Sequence, residues 1–130
     1  MKHLTPREAW AYLQARPDAL FIDVRMEIEY LYVGHPPGVV HVAWYEYPEM
    51  TADPGRFVEQ VRREAGGQVR PVVLICRSGK RTVEAGLALE AAGFDEVVNV
   101  LHGFEGELDE HFQRGRLNGW RHDGLPWEQL

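Results

Sequence analysis

The sequence predicts an α/β protein with an open, mainly parallel sheet of about five strands and helices on both faces. Three observations predict it. The runs Ala19-Leu20-Phe21-Ile22-Asp23-Val24 and Pro71-Val72-Val73-Leu74-Ile75 are short and apolar with almost no polar alternation, the pattern of strands buried on both faces of a parallel sheet. Segments with helical spacing lie between the strand-like runs, and that alternation needs crossovers that cover both faces. Proline and glycine stand where the chain must turn, at Arg16-Pro17, Gly34 to Gly38, Gly66-Gly67 and Gly93. A chain of 130 residues is expected to form a single domain over 1–130, burying about two thirds of its unfolded surface.

Each element has a local reason. Thr5-Pro6-Arg7-Glu8 starts a helix: Thr5 caps it, Pro6 suits the first position, and Glu8 closes a capping box before Ala9, Trp10 and Leu13. That helix ends near Arg16-Pro17. The strand Ala19 to Val24 follows, with Asp23 at its carboxyl end and therefore near the rim of any site there. Arg25 to Tyr30 makes a short helix, and Gly34-His35-Pro36-Pro37-Gly38 forces a turn. Val39 to Ala43 reads as a third strand. The aromatic loop Trp44-Tyr45-Glu46-Tyr47-Pro48 after it either walls a pocket or packs at a sheet edge.

Asp53-Pro54-Gly55 opens a second helix through Phe57, Val58 and Val61, ending at Gly66-Gly67. After the strand Pro71 to Ile75, Thr82 to Ala92 favours helix, with Val83, Leu87 and Ala91 recurring at helical spacing, Glu84 and Glu90 facing water, and Gly93 as the stop. Glu96 to Val100 is the last convincing strand. Beyond it, His102-Gly103-Phe104-Glu105-Gly106 is a glycine loop at a strand's carboxyl end, and Leu108 to Arg116 suggests a helical turn or two. Gly119-Trp120 and Gly124-Leu125-Pro126-Trp127 suggest a tail docking its tryptophans, so that about 107–130 forms a C-terminal extension packed on the body.

Composition narrows the function classes. The hydrophobic fraction is 45% and the charged fraction 26%, and no apolar run approaches the roughly 20 residues that span a bilayer. Asp and Glu number 20 against 14 Lys and Arg, a net charge of −6, which opposes general binding to nucleic-acid phosphate. The first ten residues lack an apolar signal core and one cysteine cannot form an intrachain disulfide, so a cytoplasmic location is expected. The six histidines lack paired metal-ligand spacing and no second cysteine exists, so neither a metal nor another cofactor is expected.

Chemistry concentrates at Cys76-Arg77-Ser78-Gly79-Lys80-Arg81, between an apolar strand and an amphipathic helix. A thiol there sits where open α/β sheets place ligand sites. The first amides of the turn and helix lack backbone acceptors, and the helix dipole adds positive charge, so together they can hold a thiolate or an oxyanion. Arg77, Lys80 and Arg81 reinforce that field. Lowering a thiol pKa from about 8.5 to about 6.5 would raise the thiolate share at neutral pH from roughly 3% to roughly 75%. Cys76 is therefore the candidate nucleophile, with Arg77, Ser78, Gly79, Lys80 and Arg81 as anion-binding residues. The plainer alternative, Cys76 as a small buried hydrophobe, does not need three cations within five residues. Trp44, His102 and Phe104 are candidate pocket walls.

These residues together resemble the rhodanese-like sulfurtransferase family in its small single-domain form. Phe21-Ile22-Asp23-Val24-Arg25 with Glu29-Tyr30 is similar to the family's D-V-R motif followed by E-[YF]. Gly34 to His41 resembles its G-H-I-P-G-A-x-H segment, with Pro36 where an aliphatic residue is usual. Cys76 to Arg81 fits C-R-x-G-x-R, and Gly93-Phe94 through Gly103 fits G-F-x-x-V-x-x-L-x-G-G, with Phe104 in place of the second terminal glycine. The usual following tryptophan is displaced to Trp120 by an insertion around Glu107 to Asn118.

The resemblance implies that Cys76 takes a sulfane sulfur from a donor such as thiosulfate, becomes a persulfide, and passes the sulfur to cyanide, a thiol such as glutathione or thioredoxin, or a sulfur-carrier protein. It implies that the 77–81 loop holds the donor's sulfonate and the persulfide charge, and that Asp23 and Arg25 brace the loop by charge-assisted hydrogen bonds. Two rivals stand beside it. A cysteine phosphatase needs five residues between cysteine and arginine, whereas Arg81 comes after four and Thr82 occupies the required position. A non-catalytic rhodanese-like interaction module often lacks the cysteine or the loop charges, which this chain keeps. Gly79-Lys80 lacks the rest of a P-loop, and Ser78 lacks a nucleophile elbow.

Overall fold

The computed structural model describes residues 1–130. The strands are β1 (Lys2–Leu4), β2 (Leu20–Asp23), β3 (Val40–His41), β4 (Val72–Ile75) and β5 (Val97–Val100), and the helices α1 (Pro6–Ala15), α2 (Pro54–Glu64) and α3 (Arg81–Ala91). The five strands form one sheet in the order β1-β5-β4-β2-β3, and every neighbouring pair is parallel. The α/β class read from the apolar runs is the class observed.

Every residue of β2, β4 and β5 is buried, as unalternating apolar strands require. Their side chains still divide by parity. Leu20, Ile22, Val72, Leu74, Cys76 and Val97 point to the α2 and α3 face. Phe21, Val73, Ile75, Val98 and Val100 point to the α1 face and meet Ala9, Trp120 and Leu125. Cys76, two residues beyond Leu74, therefore faces α3, and so does Asn99, two beyond Val97.

Several expectations need correction. The sequence carries no signal for β1, because three residues at a sheet edge, two of them exposed, have no readable period; its register with β5 pairs His3 with Asn99. The third strand is only Val40–His41. The segment after Arg25 becomes a π-helical turn over Glu29–Val33 rather than ending at Tyr30. In α3 the buried residues are Thr82, Ala85, Gly86 and Leu89, while Leu87 is 56% exposed and Ala91 is also exposed. Apolar residues surround this helix, so spacing alone could not choose its phase. Packing on the sheet sets it: Ala85 and Leu89 join the cluster formed by Val72, Leu74 and Val97.

The stretch from Leu108 to Arg116 holds no helix. Asp109 Oδ1 accepts the amides of His111 and Gln113 at 2.8 and 2.9 Å, which closes a turn in place of a helical ladder. Trp120 is fully buried against Trp10 and Phe21, with ring centroids 5.8 and 5.5 Å away, and its Nε1 donates to Pro126 O at 2.7 Å. Trp127 stays 42% exposed.

Candidate active site

Cys76 follows β4 directly, and after four intervening residues α3 begins at Arg81. Its side chain is almost closed off, at 1% exposure. The Gly79 amide donates to Sγ at 3.1 Å, and Thr82 Oγ1 lies 3.5 Å from it. Gly79 has φ +95°, a left-handed conformation that glycine adopts without a Cβ penalty and that turns its amide back to the sulfur.

The loop after β5 clamps the cysteine loop. Phe104 N–H donates to Cys76 O at 2.8 Å, and Glu105 and Gly106 N–H donate to Arg77 O at 3.0 and 3.2 Å. Gly103 permits this contact, because a Cβ there would lie 2.6 Å from Arg77 C.

The charges differ from a ring of three cations around sulfur. Arg81 is bound at both ends of its fork by Glu29, at 2.7 and 2.9 Å, with side-chain exposures of 13% and 12%. Burial alone pushes the Glu29 carboxyl up, but the hydrogen bonds and charge of Arg81 win and hold it below its ordinary range. The same pairing raises Arg81 against the downward pull of burial, and the Cys76 sulfur adds to the fields acting on it. Arg81 is thus a fixed, partly neutralised charge behind the thiol. Arg77 and Lys80 are exposed to solvent.

A cleft of about 440 Å³ opens beside the loop, lined in part by Ser78, Gly79, Lys80, His102, Leu108 and Arg114. His102 therefore stands in a pocket wall, its Nδ1 3.0 Å from Glu107. Phe104 does not, being fully buried. Trp44 lines a different cleft with Asp53 and Phe57; its indole packs edge-on to Phe57 and donates to Glu84 at 3.3 Å. Large rings next to a site are also what a sheet edge buries, and sequence cannot separate the two.

Asp23 is likewise not at the rim. It and Arg25 are both wholly buried and pair at 2.6 Å, and Arg25 Nη2 also donates to Gly34 O at 2.6 Å. The Arg25 guanidinium lies 4.7 Å from the Phe104 ring centroid. The pair makes no direct hydrogen bond to residues 76–81; its connection to the loop runs through Phe104, whose amide holds Cys76 O. Sequence reasoning does not single out Glu29, Thr82 or Asn99 as site residues: Glu29 stands in the E-[YF] motif, and nothing local in Asn99-Val100 marks the amide as facing α3.

No group of three or more His, Cys, Asp or Glu is gathered to ligate a metal ion, and no helix is long and apolar enough to cross a membrane. Among known families, the rhodanese-like domain matches residues 5–110. The chain belongs to the rhodanese-like family. It is 29% identical over 125 residues to a thiosulfate sulfurtransferase GlpE of Actinobacillus pleuropneumoniae serotype 3, covering 96% of this chain and 91% of that protein. Among solved structures, Rv0390 from M. tuberculosis superposes with a TM-score of 0.86 at 37% identity, covering 100% of this chain and 98% of that one. The polysulfide-sulfur transferase homodimer of Wolinella succinogenes gives a TM-score of 0.65 at 26% identity, covering 100% and 80%. The segment Cys76 to Arg81, with Arg81 tied back to Glu29, lies inside the matched residues 5–110.

Proposed function

We propose that this rhodanese-like protein is a sulfurtransferase, moving a sulfane sulfur from thiosulfate or a similar donor to a thiophilic acceptor through a persulfide on Cys76. One observation carries the reading: the lone thiol stands at the carboxyl end of β4 with the Gly79 amide on its sulfur and the anchored Arg81 behind it.

The Cys76 thiolate attacks the outer sulfur of thiosulfate. A new S–S bond forms, the bond to the sulfonate sulfur breaks, and its electron pair leaves with sulfite. The added sulfur carries the negative charge, which the Gly79 amide, the start of α3 and Arg81 stabilise. Lys80 and Arg77 steer the dianionic donor along the cleft, and Ser78 offers its hydroxyl. An acceptor then attacks the terminal sulfur and returns the Cys76 thiolate. Cyanide would leave as thiocyanate, while a thiolate or a sulfur-carrier protein would itself take the sulfur. Asp23 and Arg25 act as positioning residues through Phe104. Residues 1–130 work as one domain, with 107–130 closing one side of the cleft, and the expected location is cytoplasmic.

The intact mass after incubation with thiosulfate and removal of excess tests the reading. A gain of one sulfur atom, absent in Cys76→Ser, is expected. No gain with any sulfane donor would overturn it in favour of a binding module, the reading that the near-closure of Cys76 would then support.

A further inference from the structure

A buried polar line leaves the thiol on the side away from the cleft. Cys76 Sγ lies 3.5 Å from Thr82 Oγ1, Thr82 Oγ1 donates to Asn99 Oδ1 at 2.5 Å, and Asn99 Nδ2 lies 3.1 Å from His3 Nδ1. Thr82 is fully buried and Asn99 is 2% exposed, whereas His3 is exposed on the edge strand β1. The line runs from a closed-off sulfur, under α3 and across β5, to a titratable group in solvent. Nothing in the fold requires a polar pair here; Ala85 and Leu89 fill the rest of the same helix face.

The hydrogen-bond directions along it are coupled. A hydroxyl facing an amide oxygen can only donate, so the Thr82 proton is committed to Asn99 and Thr82 Oγ1 is left to accept from the Cys76 S–H. The Asn99 nitrogen then faces His3 Nδ1, which accepts, as in a neutral imidazole carrying its proton on Nε2. When His3 takes a proton on Nδ1, it becomes a donor and the Asn99 amide must turn its oxygen to it. The Asn99 nitrogen then donates to Thr82 Oγ1, and the hydroxyl proton is free to point at sulfur. Every partner is again satisfied, provided that the sulfur is a thiolate. One proton enters at His3 and one leaves from Cys76, so the two arrangements carry the same net charge.

We propose that His3, acting through Asn99 and Thr82, positions the hydroxyl proton that either withholds or supplies a hydrogen bond to the Cys76 thiolate. Its meaning for sulfur transfer rests on the function proposed above, but the coupling is a property of the thiol itself. The charged groups around His3 are already paired: the Met1 ammonium with Glu90 of α3 at 2.8 Å and Lys2 with Glu96, just before β5, at 3.0 Å. Around Cys76 stand the Arg81–Glu29 pair, with Tyr45 beside Arg81, and the exposed Arg77 and Lys80.

The rate of Cys76 alkylation by iodoacetamide between pH 5 and 9 tests the coupling. In the wild type, log rate should climb by less than one decade per pH unit over the span in which His3 exchanges its proton. In His3→Gln, which keeps a side-chain hydrogen bond but does not titrate, it should climb a full decade per unit, with a rate at pH 5.5 about fivefold below wild type and an unchanged high-pH plateau. A second variant leaves His3 in place. Asn99→Leu, which fills the same space but cannot pass a hydrogen bond from His3 to Thr82, should lose the wild-type inflection just as His3→Gln does. Superimposable profiles for wild type and His3→Gln, or an Asn99→Leu profile that keeps the wild-type inflection, would overturn the inference. Sulfur uptake with a His3-independent profile refutes this coupling alone, and a His3-dependent profile without sulfur uptake refutes the proposed function alone.

Discussion

Replacing Gly103 with alanine isolates the contact between the two loops, and Gly93→Ala supplies its control. Both glycines have positive φ, +62° and +98°, so each substitution carries a left-handed backbone cost of about 1 kcal/mol. They differ in surroundings. A Cβ on Gly93 would meet nothing within 4 Å, while one on Gly103 would run into Cys76 O and lie 2.6 and 2.7 Å from Arg77 C and O. Restoring ordinary contact distance moves the Cys76-Arg77 peptide by about 0.8 Å, enough to break the Phe104 to Cys76 and Glu105 to Arg77 hydrogen bonds, at about 1 kcal/mol each. The expected loss is therefore about 3 kcal/mol for Gly103→Ala and about 1 kcal/mol for Gly93→Ala, or roughly 12 °C against 4 °C in Tm for a domain of this size. Urea unfolding measures the first difference, and the initial rate of sulfur uptake onto Cys76 measures the functional one. Uptake should fall at least about tenfold in Gly103→Ala, since misplacing a reacting group by this distance costs that much or more, and stay near wild type in Gly93→Ala. Equal stability losses in the two variants would refute the claim that the glycine loop holds the cysteine loop.

Two further outcomes follow from buried contacts. Glu29→Gln should lower stability at pH 7 by about 1–2 kcal/mol, because it leaves Arg81 partly buried without its counter-charge. Because the folded Glu29 pKa lies below its ordinary value of 4.5, the pair's contribution is complete above that value and fades as pH falls beneath it. Chemical denaturation of the two proteins should therefore converge in acid, and a constant gap from pH 7 to pH 3 would contradict the pairing. Trp120→Ala should cost about 3–5 kcal/mol, as expected for a fully buried indole, and should expose the 119–130 segment to limited proteolysis; an unchanged digestion pattern would show that the tail is held by other contacts.

The sequence by itself determined what is local. Apolar runs without alternation specify strands buried on both faces, Thr5 and Glu8 specify a capped helix, and a thiol followed three positions on by Gly79 specifies a turn that brings an amide to the sulfur. Each follows from residues within a few positions of one another. Tertiary structure alone decided the rest. Which face of α3 is buried depended on how the helix packs against Val72, Leu74 and Val97. The pairing of Arg81 with Glu29 depended on a π-helical turn 52 positions earlier in the chain. Phe104 became core instead of pocket wall, and Trp44 came to line a cleft away from Cys76, through partners far away in sequence. β1 became a strand only because β5 offered an open edge, and that pairing brought His3 to Asn99. Side-chain pairing across crossovers depends on distances that the chain path sets, and no local pattern encodes them.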